Sequence, residues 1–196
     1  SIDKKGFNKL FRVITAAADQ GACMHKGPLK RALTDEPRAF MSDRSAKTEL
    51  LILDIDGLRA TPGDDLQAMA DKIVLQLPDI FHNVSYIVQA SASLGIKKDQ
   101  ISLHLFFLMD MPVHPKTLKD YLRMLNYECD FLAEQITLSA NGQSLSYILD
   151  PSVADNSKLI YIAPPKFTGV QDPYPNGRFI KIDRGSPTLE ISSSLI

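Results

Sequence analysis

The sequence predicts a mixed α/β or α+β domain, and three observations lead to this prediction. The chain has 196 residues, a length that suits one domain or one compact catalytic module. It is 44% hydrophobic and 23% charged, as expected for a soluble globular protein that buries a core. Both helical and strand-like hydrophobic patterns occur along it, and the polar clusters of interest lie on or beside predicted strands.

The first third of the chain predicts a helix, an irregular segment and a strand. Apolar residues recur at helical spacing over residues 6–18, which predicts an amphipathic helix. Residues 19–49 are interrupted by Gly, Pro and charges, and we expect loops with short elements there. The apolar run over 50–57 predicts a buried strand that stops at its glycine.

A helix and a hairpin are predicted next. Asp64 or Asp65 caps a helix that runs to about Leu77, because apolar residues again form one stripe. Strands are predicted over 84–90 and 101–109. The stretch between them is rich in Ser, Gly and Lys, which favours a hairpin.

The last third predicts one long helix and two short strands. The helix follows Pro115, and its apolar stripe continues as far as Leu132. Residues 146–149 and 159–162 fit strands. From Ala163 onward the chain is rich in Pro and Gly, and we expect irregular structure.

Composition excludes several classes of protein. No apolar stretch approaches the ~20 residues that a membrane-spanning helix needs, and the charged start of the chain does not resemble a signal peptide. The two cysteines are too few and too far apart for a disulfide framework or a cysteine-based zinc site. We therefore expect a protein of a reducing, cytoplasmic environment that has no membrane partner.

Charge is distributed unevenly along the chain. The net charge of −1 argues against a protein that coats nucleic acid. Residues 1–47 carry a net charge of +5, however, and the remainder carries −6. A basic N-terminal third permits contact with a phosphate backbone, although a solvated mixed surface explains the same pattern.

Asp54 and Asp56 end the first predicted strand and form an unusual pair. Side chains at positions i and i+2 of a strand point to the same face, so these two like charges lie close together. A divalent cation removes their repulsion, and paired carboxylates suit Mg²⁺ or Mn²⁺. The alternative is that both acids lie at a solvated strand end or cap the turn at Gly57.

Ser102 and His104 repeat this spacing on the strand predicted over 101–109. A hydroxyl and an imidazole on one strand face can both donate hydrogen bonds to phosphate oxygens. The alternative is a structural histidine whose hydrogen bonds are satisfied within the protein.

A third carboxylate, Asp150, ends the strand predicted over 146–149 and precedes Pro151. An Asp-Pro pair also opens turns, which is the alternative interpretation. Lys158 and Lys166 follow, although lysines are ordinarily exposed to solvent. Taken together, three carboxylates, a Ser-x-His strand and a downstream lysine match what two metal ions and a triphosphate require in nucleotidyl transfer. That chemistry is mostly positioning and neutralisation of charge.

The order of these motifs resembles that of the archaeo-eukaryotic primases. Three segments of the chain are similar, in the same order, to the three motifs of that superfamily. They are a hydrophobic run that ends in Asp-x-Asp (Leu51 to Asp56), a Ser-x-His (Ser102 to His104) and Leu149-Asp150. The resemblance covers roughly residues 50–170 and is closest to the primase-polymerases of plasmids, phages and mobile elements. It implies a template-directed nucleotidyltransferase of DNA replication, a primase or DNA polymerase that joins incoming nucleotides to a 3′-hydroxyl.

The resemblance also implies the roles of individual residues. Both acids of the first motif and the Asp of the third bind the catalytic metals in that family, so we expect Asp54, Asp56 and Asp150 to hold two Mg²⁺ or Mn²⁺ ions. The second motif contacts the triphosphate, and a basic residue eight positions after the third motif does so in the primase-polymerases. The nucleotide-binding residues expected from the motifs and from the loop over 91–100 are Ser102, His104, Lys158, Lys166, Ser93 and Lys97.

The implied architecture is α+β, with an RRM-like antiparallel sheet packed against an N-terminal α/β unit. We expect a single catalytic module over 1–196, in which 1–49 belongs to the N-terminal unit, 50–170 carries the motifs and 171–196 is irregular. Template contact is expected from basic residues of the N-terminal third, namely Lys30, Arg31, Arg38, Arg44 and Lys47.

The implied partners are a single-stranded DNA template or a primed template, nucleoside triphosphates, and a helicase or replication initiator. Priming members of the superfamily often carry a further C-terminal helical domain, which is not recognisable in this sequence. Unaided priming is therefore in doubt more than nucleotide binding is.

Two rival functions use the same residues. The segment from Ile52 to Gly57 also resembles the opening strand of haloacid-dehalogenase-type phosphatases, in which Asp54 would attack phosphate and Asp56 would act as the acid/base. That family ends with a late acidic pair, whereas Asp64 and Asp65 arrive early. The other rival is a metal-free nucleic-acid-binding module that uses the basic N-terminal third.

Overall fold

A four-stranded antiparallel sheet lies at the centre of the computed structural model, which describes residues 4–63 and 65–194. The strands are β1 (Met24–His25), β2 (Thr48–Arg59), β3 (Tyr86–Ala90), β4 (Gln100–Val113), β5 (Thr137–Leu138), β6 (Leu145–Ser146), β7 (Leu159–Ile160) and β8 (Phe179–Ile182). The α-helices are α1 (Lys4–Asp19), α2 (Arg38–Met41), α3 (Leu66–Val74), α4 (Pro115–Glu128) and α5 (Asp130–Ala133), and short 3₁₀ turns lie at Asp79–Phe81, Pro151–Ala154 and Ile191–Ser194. The predicted α+β class is confirmed at this level.

The central sheet has the strand order β2-β4-β3-β8, and each neighbouring pair is antiparallel. Residues 148–150 lie along the outer edge of β2. The N–H of Asp56 donates to the carbonyl of Ile148, and the N–H of Asp150 donates to the carbonyl of Asp54, both at 3.0 Å. Ile55 and Leu149 therefore form an antiparallel bridge, which brings a distant part of the chain to the edge of β2.

One face of the sheet is apolar because alternate residues of its strands are hydrophobic. Leu53 lies opposite Leu105, which lies opposite Val88, and all three are fully buried. Phe107 packs on the same face, edge-on to Phe81 and stacked on Tyr86. Burial of side chains of this size contributes about 1.5–3 kcal/mol each, so this face holds the core together.

The N-terminal segment attaches to the opposite face and to β7. The amine of Lys181 on β8 donates to the side-chain carbonyl of Asn8 in α1 at 2.7 Å. β1 pairs with β7, and the amide of Asn156 donates to the carbonyls of Asp43 and Ala46. Asn156 also fills the space where a side chain at Gly27 would lie, so this contact requires glycine.

Most of the predicted elements are confirmed. α1, the strand that carries the acid pair, the β3–β4 hairpin and α4 all form where they were predicted. The prediction that the strand stops at Gly57 is wrong, because β2 continues past the glycine to Arg59 and pairs there with β4. Asp65 caps α3, since its carboxylate accepts hydrogen bonds from the N–H groups of Gln67 and Ala68. The alternative cap, Asp64, lies outside the described residues. No helix of the described chain is long and apolar enough to cross a membrane.

Helix ends and short strands differ from the predictions. α3 ends at Val74 rather than near Leu77. The helix predicted to reach Leu132 breaks at Cys129, whose extended backbone separates α4 from α5. In place of a strand over 146–149, Leu145–Ser146 pairs with Thr137–Leu138, and the following residues bridge to β2. These segments are too short for periodicity to fix their boundaries.

The prediction of irregular structure after Ala163 is wrong for β8. Phe179–Ile182 joins the edge of the central sheet beside β3. Arg178 fixes the entry to this strand, because its guanidinium is buried against Asp172 and donates to the carbonyl of Ser91 at 2.9 Å. Such a four-residue strand, set in a Pro- and Gly-rich stretch, has too weak a local pattern to be predicted without its partner.

Candidate active site

A row of polar side chains crosses the face of the sheet opposite the aromatic core. Asp150 lies opposite Asp54, which lies opposite His104, which lies opposite Gln89. Residues directly opposite each other in antiparallel strands point to the same face, so the strand pairing alone collects these four side chains. The chain segments that contribute them are far apart in sequence.

Two of these side chains, His104 and Gln89, form a chain of hydrogen bonds that ends at the carbonyl of Tyr161. The amide nitrogen of Gln89 lies 2.9 Å from the carbonyl of Tyr161, and its amide oxygen lies 2.9 Å from His104 Nδ1. A carbonyl only accepts, so the Gln89 nitrogen must face Tyr161 and the Gln89 oxygen must face His104. Nδ1 therefore carries a proton, and Nε2 is the nitrogen that faces Asp54, at 3.2 Å from Oδ1.

A β-bulge in β2 determines the position of Asp56, the second acid of the pair. Asp56 and Gly57 together lie opposite the single residue Ser102, because the register between β2 and β4 shifts there by one residue. Gly57 has φ +71°, a left-handed conformation that favours glycine. Ser102 Oγ accepts the Gly57 N–H at 2.9 Å and donates to Asp56 Oδ1 at 3.1 Å. The bulge leaves Asp56 exposed while Ser102 is buried.

Asp150 lies in a tight polar cluster at the start of the turn that follows it. Its carboxylate accepts from the N–H and the hydroxyl of Ser152, at 2.8 and 2.6 Å, and from the amine of Lys158 at 3.1 Å. Burial alone would raise the pKa of Asp150, but the hydrogen bonds from Ser152 and the Lys158 ammonium outweigh it, so the pKa is lowered. Asp150 is therefore a stable anion beside a fixed cation.

Two clefts meet at the acid pair. The cleft on the sheet side, here called the sheet cleft, encloses about 530 Å³ and is lined by Asp54, Asp56, Gln89, Ala90, Ser91, Ala92, Ser93, His104, Tyr161, Ala163, Pro164 and Pro165. The cleft on the α4 side, here called the helix cleft, encloses about 430 Å³ and is lined by Asp54, Asp56, Lys119, Arg123, Leu145, Ser146, Tyr147, Asp150, Pro151 and Ser152. All three predicted acids thus line one cleft, and two of them face both.

Two of these acids have donors within the protein, namely Ser102 for Asp56, and Ser152 with Lys158 for Asp150, whereas Asp54 Oδ1 lies 3.2 Å from His104 Nε2. In the described part of the chain, no group of three or more His, Cys, Asp or Glu residues is arranged to hold a metal ion. The set of ligand atoms is nevertheless composed of carboxylate oxygens, which fits Mg²⁺ or Mn²⁺ rather than a softer metal. A bound cation would replace the donors that these acids now use.

The remaining predicted nucleotide ligands divide into two groups. Ser93 lines the sheet cleft, with its hydroxyl 3.2 Å from that of Ser91. Lys97 is exposed in the β3–β4 turn, and Lys166 is exposed beyond Pro165. Neither of these two lysines is among the described residues that line the two clefts.

The predicted template-binding residues also separate. Lys30 and Arg44 line a third cavity together with the exposed Phe40. The guanidinium of Arg31 instead pairs with both carboxylate oxygens of Glu36. The two others, Arg38 in α2 and Lys47 before β2, are exposed.

Sequence reasoning missed three polar residues of the clefts. Gln89 is buried in the otherwise apolar end of β3, and a polar residue in such a run is a signal for a buried hydrogen bond. Lys119 and Arg123 lie one turn apart on α4, where they were hidden among the other charges of an amphipathic helix. Only the position of α4 beside β2 makes them part of the site.

No protein-family model matches the chain, and neither the curated proteins nor the solved structures include a significant match to it. Its function is therefore inferred from the arrangement of its own residues. That arrangement joins three carboxylates, a histidine held in one tautomer and several cations at the meeting point of two clefts.

Proposed function

We propose that the protein is a template-directed nucleotidyltransferase of the primase-polymerase type. The observation that carries this proposal is that Asp54, Asp56 and Asp150, from two segments far apart in the chain, line one cleft. Three carboxylates that converge on one cleft repel each other, and a fold gains from this only if cations or proton donors occupy the site.

The carboxylates Asp54, Asp56 and Asp150 would hold two Mg²⁺ or Mn²⁺ ions. Such ions, when bound, activate a 3′-hydroxyl and stabilise the leaving pyrophosphate. The protein's own contribution is to hold the acids in register: the β-bulge at Gly57 presents Asp56, and the hydrogen bond from the Asp150 N–H to the Asp54 carbonyl keeps these two acids side by side.

The sheet cleft is suited to the incoming triphosphate. Gln89 keeps a proton on His104 Nδ1, so Nε2 faces the cleft and can, when protonated, donate to a phosphate oxygen. The hydroxyl of Ser93 adds a further donor. Lys158 is not among the described residues that line this cleft, but its ion pair with Asp150 places a positive charge near the acids. These groups bind and orient the phosphates without forming a covalent bond to them.

The helix cleft is suited to the end of the growing strand. It approaches the same acid pair from the other side, as an in-line displacement between two substrates requires. Lys119 and Arg123 give it two cations, whose present partners are the surface acids Asp155 and Asp120. A strand phosphate would compete with those carboxylates for the same ammonium and guanidinium groups.

The strand order also supports the proposal. β2, α3, β3, β4, α4 and residues 148–150 follow one another in the chain, and in the sheet they have the order 148–150, β2, β4, β3. This β-α-β-β-α-β order supports the proposal of an RRM-like, split β-α-β sheet. We propose that β8 is an addition at its far edge and that residues 4–47 form the N-terminal unit packed against it.

The rival functions leave more of the site unexplained. A phosphatase that uses Asp54 as nucleophile and Asp56 as acid/base could use Asp150 as a late acid, but it leaves the second cleft and its cations, Lys119 and Arg123, unexplained. A metal-free nucleic-acid-binding module would bring a phosphate backbone against three carboxylates, which repel it.

The test is incubation of the protein with Mn²⁺, labelled nucleotides and a single-stranded template, with and without an annealed primer, beside a generic phosphate ester. We expect primer extension, whereas ester hydrolysis without extension would favour the phosphatase. Substitution Asp54→Asn with Asp56→Asn should lower extension by several orders of magnitude while the melting temperature is maintained, because charge repulsion is removed. The matched control is Asp79→Asn with Asp99→Asn, two exposed acids outside both clefts. Full extension by the Asp54/Asp56 variant would exclude the proposed metal ligands.

A further inference from the structure

A large aromatic ring projects into solvent in the most basic part of the chain. Phe40, in α2, is 71% exposed. It lines a cavity of about 480 Å³ together with Lys30, Arg44 and His114. Most exposed apolar residues need no explanation. An exposed phenyl ring beside cations, however, suits a ligand that has both a flat aromatic face and negative charge.

The segment that carries Phe40 is held firmly on both sides. The N–H of Lys30 donates to the carbonyl of Met41 at 2.8 Å, and His25 Nε2 lies 3.0 Å from the hydroxyl of Ser42. The amide of Asn156 donates to the carbonyl of Asp43 at 2.7 Å. Phe40 is therefore exposed on an ordered support, and that support is tied to the segment that leads to Lys158.

The charge around the ring is suited to an anionic partner. Lys30 and Arg44 line the cavity, and residues 1–47 carry a net charge of +5. Asp43 also lines it, but its Oδ1 atom accepts hydrogen bonds from the Ser45 hydroxyl and from the N–H groups of Ser45 and Ala46. These hydrogen bonds, the Ser45 hydroxyl first, lower the pKa of Asp43, so it stays an anion, but its Oδ1 atom is directed to donors of its own loop.

We propose that this cavity binds single-stranded nucleic acid, with a base stacked on Phe40 and phosphates held by Lys30 and Arg44. Unpaired bases expose a π-face that stacks on aromatic rings, and a basic groove tracks their backbone. A protein partner that packed an apolar side chain on Phe40 would leave the charges of Lys30 and Arg44 beside an apolar contact. The bases of a duplex are stacked on each other, so none has a free face for Phe40. The inference rests on the proposed function for the identity of the strand as the template, but the site itself is tested without catalysis.

The sharpest test uses the absence of tryptophan from the chain. Phe40→Trp introduces a single tryptophan at the proposed stacking position, and its emission can be followed separately from that of the six tyrosines. Titration with an oligothymidylate of about 12 nucleotides, without metal or nucleotide, should quench its emission, because a stacked base contacts the indole directly. The matched control is Leu138→Trp, at a position that is 66% exposed on β5, and its emission should not change. A duplex of the same length should leave the emission of Phe40→Trp unchanged.

Affinity measurements separate stacking from charge. Phe40→Ala should weaken oligothymidylate binding about tenfold, whereas Leu138→Ala should not alter it. Lys30→Ala with Arg44→Ala should reduce the salt dependence of log Kd by about 0.7 for each phosphate contact that is lost. Lys4→Ala with Lys9→Ala removes the same charge from exposed positions of α1 and should have the smaller effect.

The inference is overturned if the emission of Phe40→Trp does not respond to the oligonucleotide. It is overturned as well if the Lys4/Lys9 double variant weakens binding as much as the Lys30/Arg44 double variant does. It is also overturned if the duplex quenches as strongly as the single strand does. Quenching without any primer extension by the parent protein would retain this site and exclude the proposed function. Primer extension without quenching would retain the proposed function and exclude this site. The two proposals can therefore fail separately.

Discussion

The sheet cleft and the helix cleft share two acids but are built in different ways. In the sheet cleft, buried Gln89 joins His104 to the carbonyl of Tyr161, so the polar groups are fixed by a chain of hydrogen bonds within strands. In the helix cleft, Lys119 and Arg123 extend from α4, are partly exposed and pair with surface acids. A buried network is preorganised, whereas exposed ion pairs contribute about 0–1 kcal/mol and exchange partners readily.

This difference indicates which side chains of the site are held in a fixed orientation. Groups that must be held at one angle lie on adjacent strands, and groups that only need to supply charge lie on a helix surface. We therefore expect substitution of Gln89, which supports His104 in the sheet cleft, to change the chemistry and the stability together. Substitution of Lys119 and Arg123, the cations of the helix cleft, should change only the affinity for the strand.

The largest effect within this comparison is expected for Gln89→Leu. The substitution leaves His104 Nδ1–H and the Tyr161 carbonyl without their partner, which should lower the free energy of unfolding by about 1–3 kcal/mol. Loss of such a supporting hydrogen bond should also lower activity about 10- to 100-fold, mainly through a higher KM for nucleotide. Steady-state kinetics and urea unfolding measure the two effects.

The control for this prediction is Gln143→Leu, at an exposed residue of the β5–β6 turn, which should leave both quantities unchanged. A variant at Gln89 that lost stability but kept the parent's KM for nucleotide would contradict a role in positioning His104. It would leave Gln89 as a core residue only.

A smaller effect is expected for Lys119→Ala with Arg123→Ala in the helix cleft. Their present ion pairs are exposed, so the melting temperature should hardly change. The KM for the primer should rise about tenfold, since two contacts to strand phosphates are lost, and it should become less sensitive to salt. The KM for nucleotide should be the same as that of the parent protein. An increase in this KM would indicate that the two clefts act as one binding site.

The smallest effect on activity is expected for a buried cation outside both clefts. Lys26 donates to Thr48 Oγ1 at 2.9 Å, and burial lowers the pKa of Lys26 to about 8. Its usual value is 10.5, so between these two pKa values the unfolded chain binds more protons than the folded one, and stability rises with pH. Below the lower value the cost of burying the charge is present in full.

We expect this contribution to increase the free energy of unfolding by about 1–2 kcal/mol between about pH 7.5 and pH 9.5. Lys26→Met should abolish the increase and leave activity unchanged. The comparison is made between the two proteins at each pH, because burial also raises the pKa of the Cys129 thiol, which is common to both. An identical pH dependence in the two proteins would mean that Lys26 reaches water in solution.

Local pattern predicted the parts of the site that lie on long strands. Asp54 and Asp56 share a strand with a clear apolar run, and Ser102 and His104 share another, so alternation alone assigned each pair to one face. The two pairs contact each other because β2 and β4 are neighbours, which is a tertiary fact. The partner of Ser102 depends on a one-residue bulge, and no periodic pattern encodes a bulge.

Longer-range features could not be predicted in the same way. Asp150 reaches Asp54 through an isolated bridge rather than through the strand predicted over 146–149, and the local pattern does not identify β2 as the partner of that bridge. β8 has only four residues, and its burial is set by β3 and by Arg178. The helix cleft required the position of α4, which depends on contacts such as the Asn126 amide donating to the Leu149 carbonyl. In each case the information lies in a partner that is distant in sequence.

The bridge at Asp150 also has a consequence for the order in which the protein is assembled. During synthesis, the segment that holds the third acid leaves the ribosome well after β2, β3 and β4 are free to pair, because the whole of α4 separates them. A nascent chain at that stage presents the acid pair without its third partner or the ammonium of Lys158. The proposed metal site is thus complete only when translation has passed this point, and a prematurely terminated chain lacks its third acid.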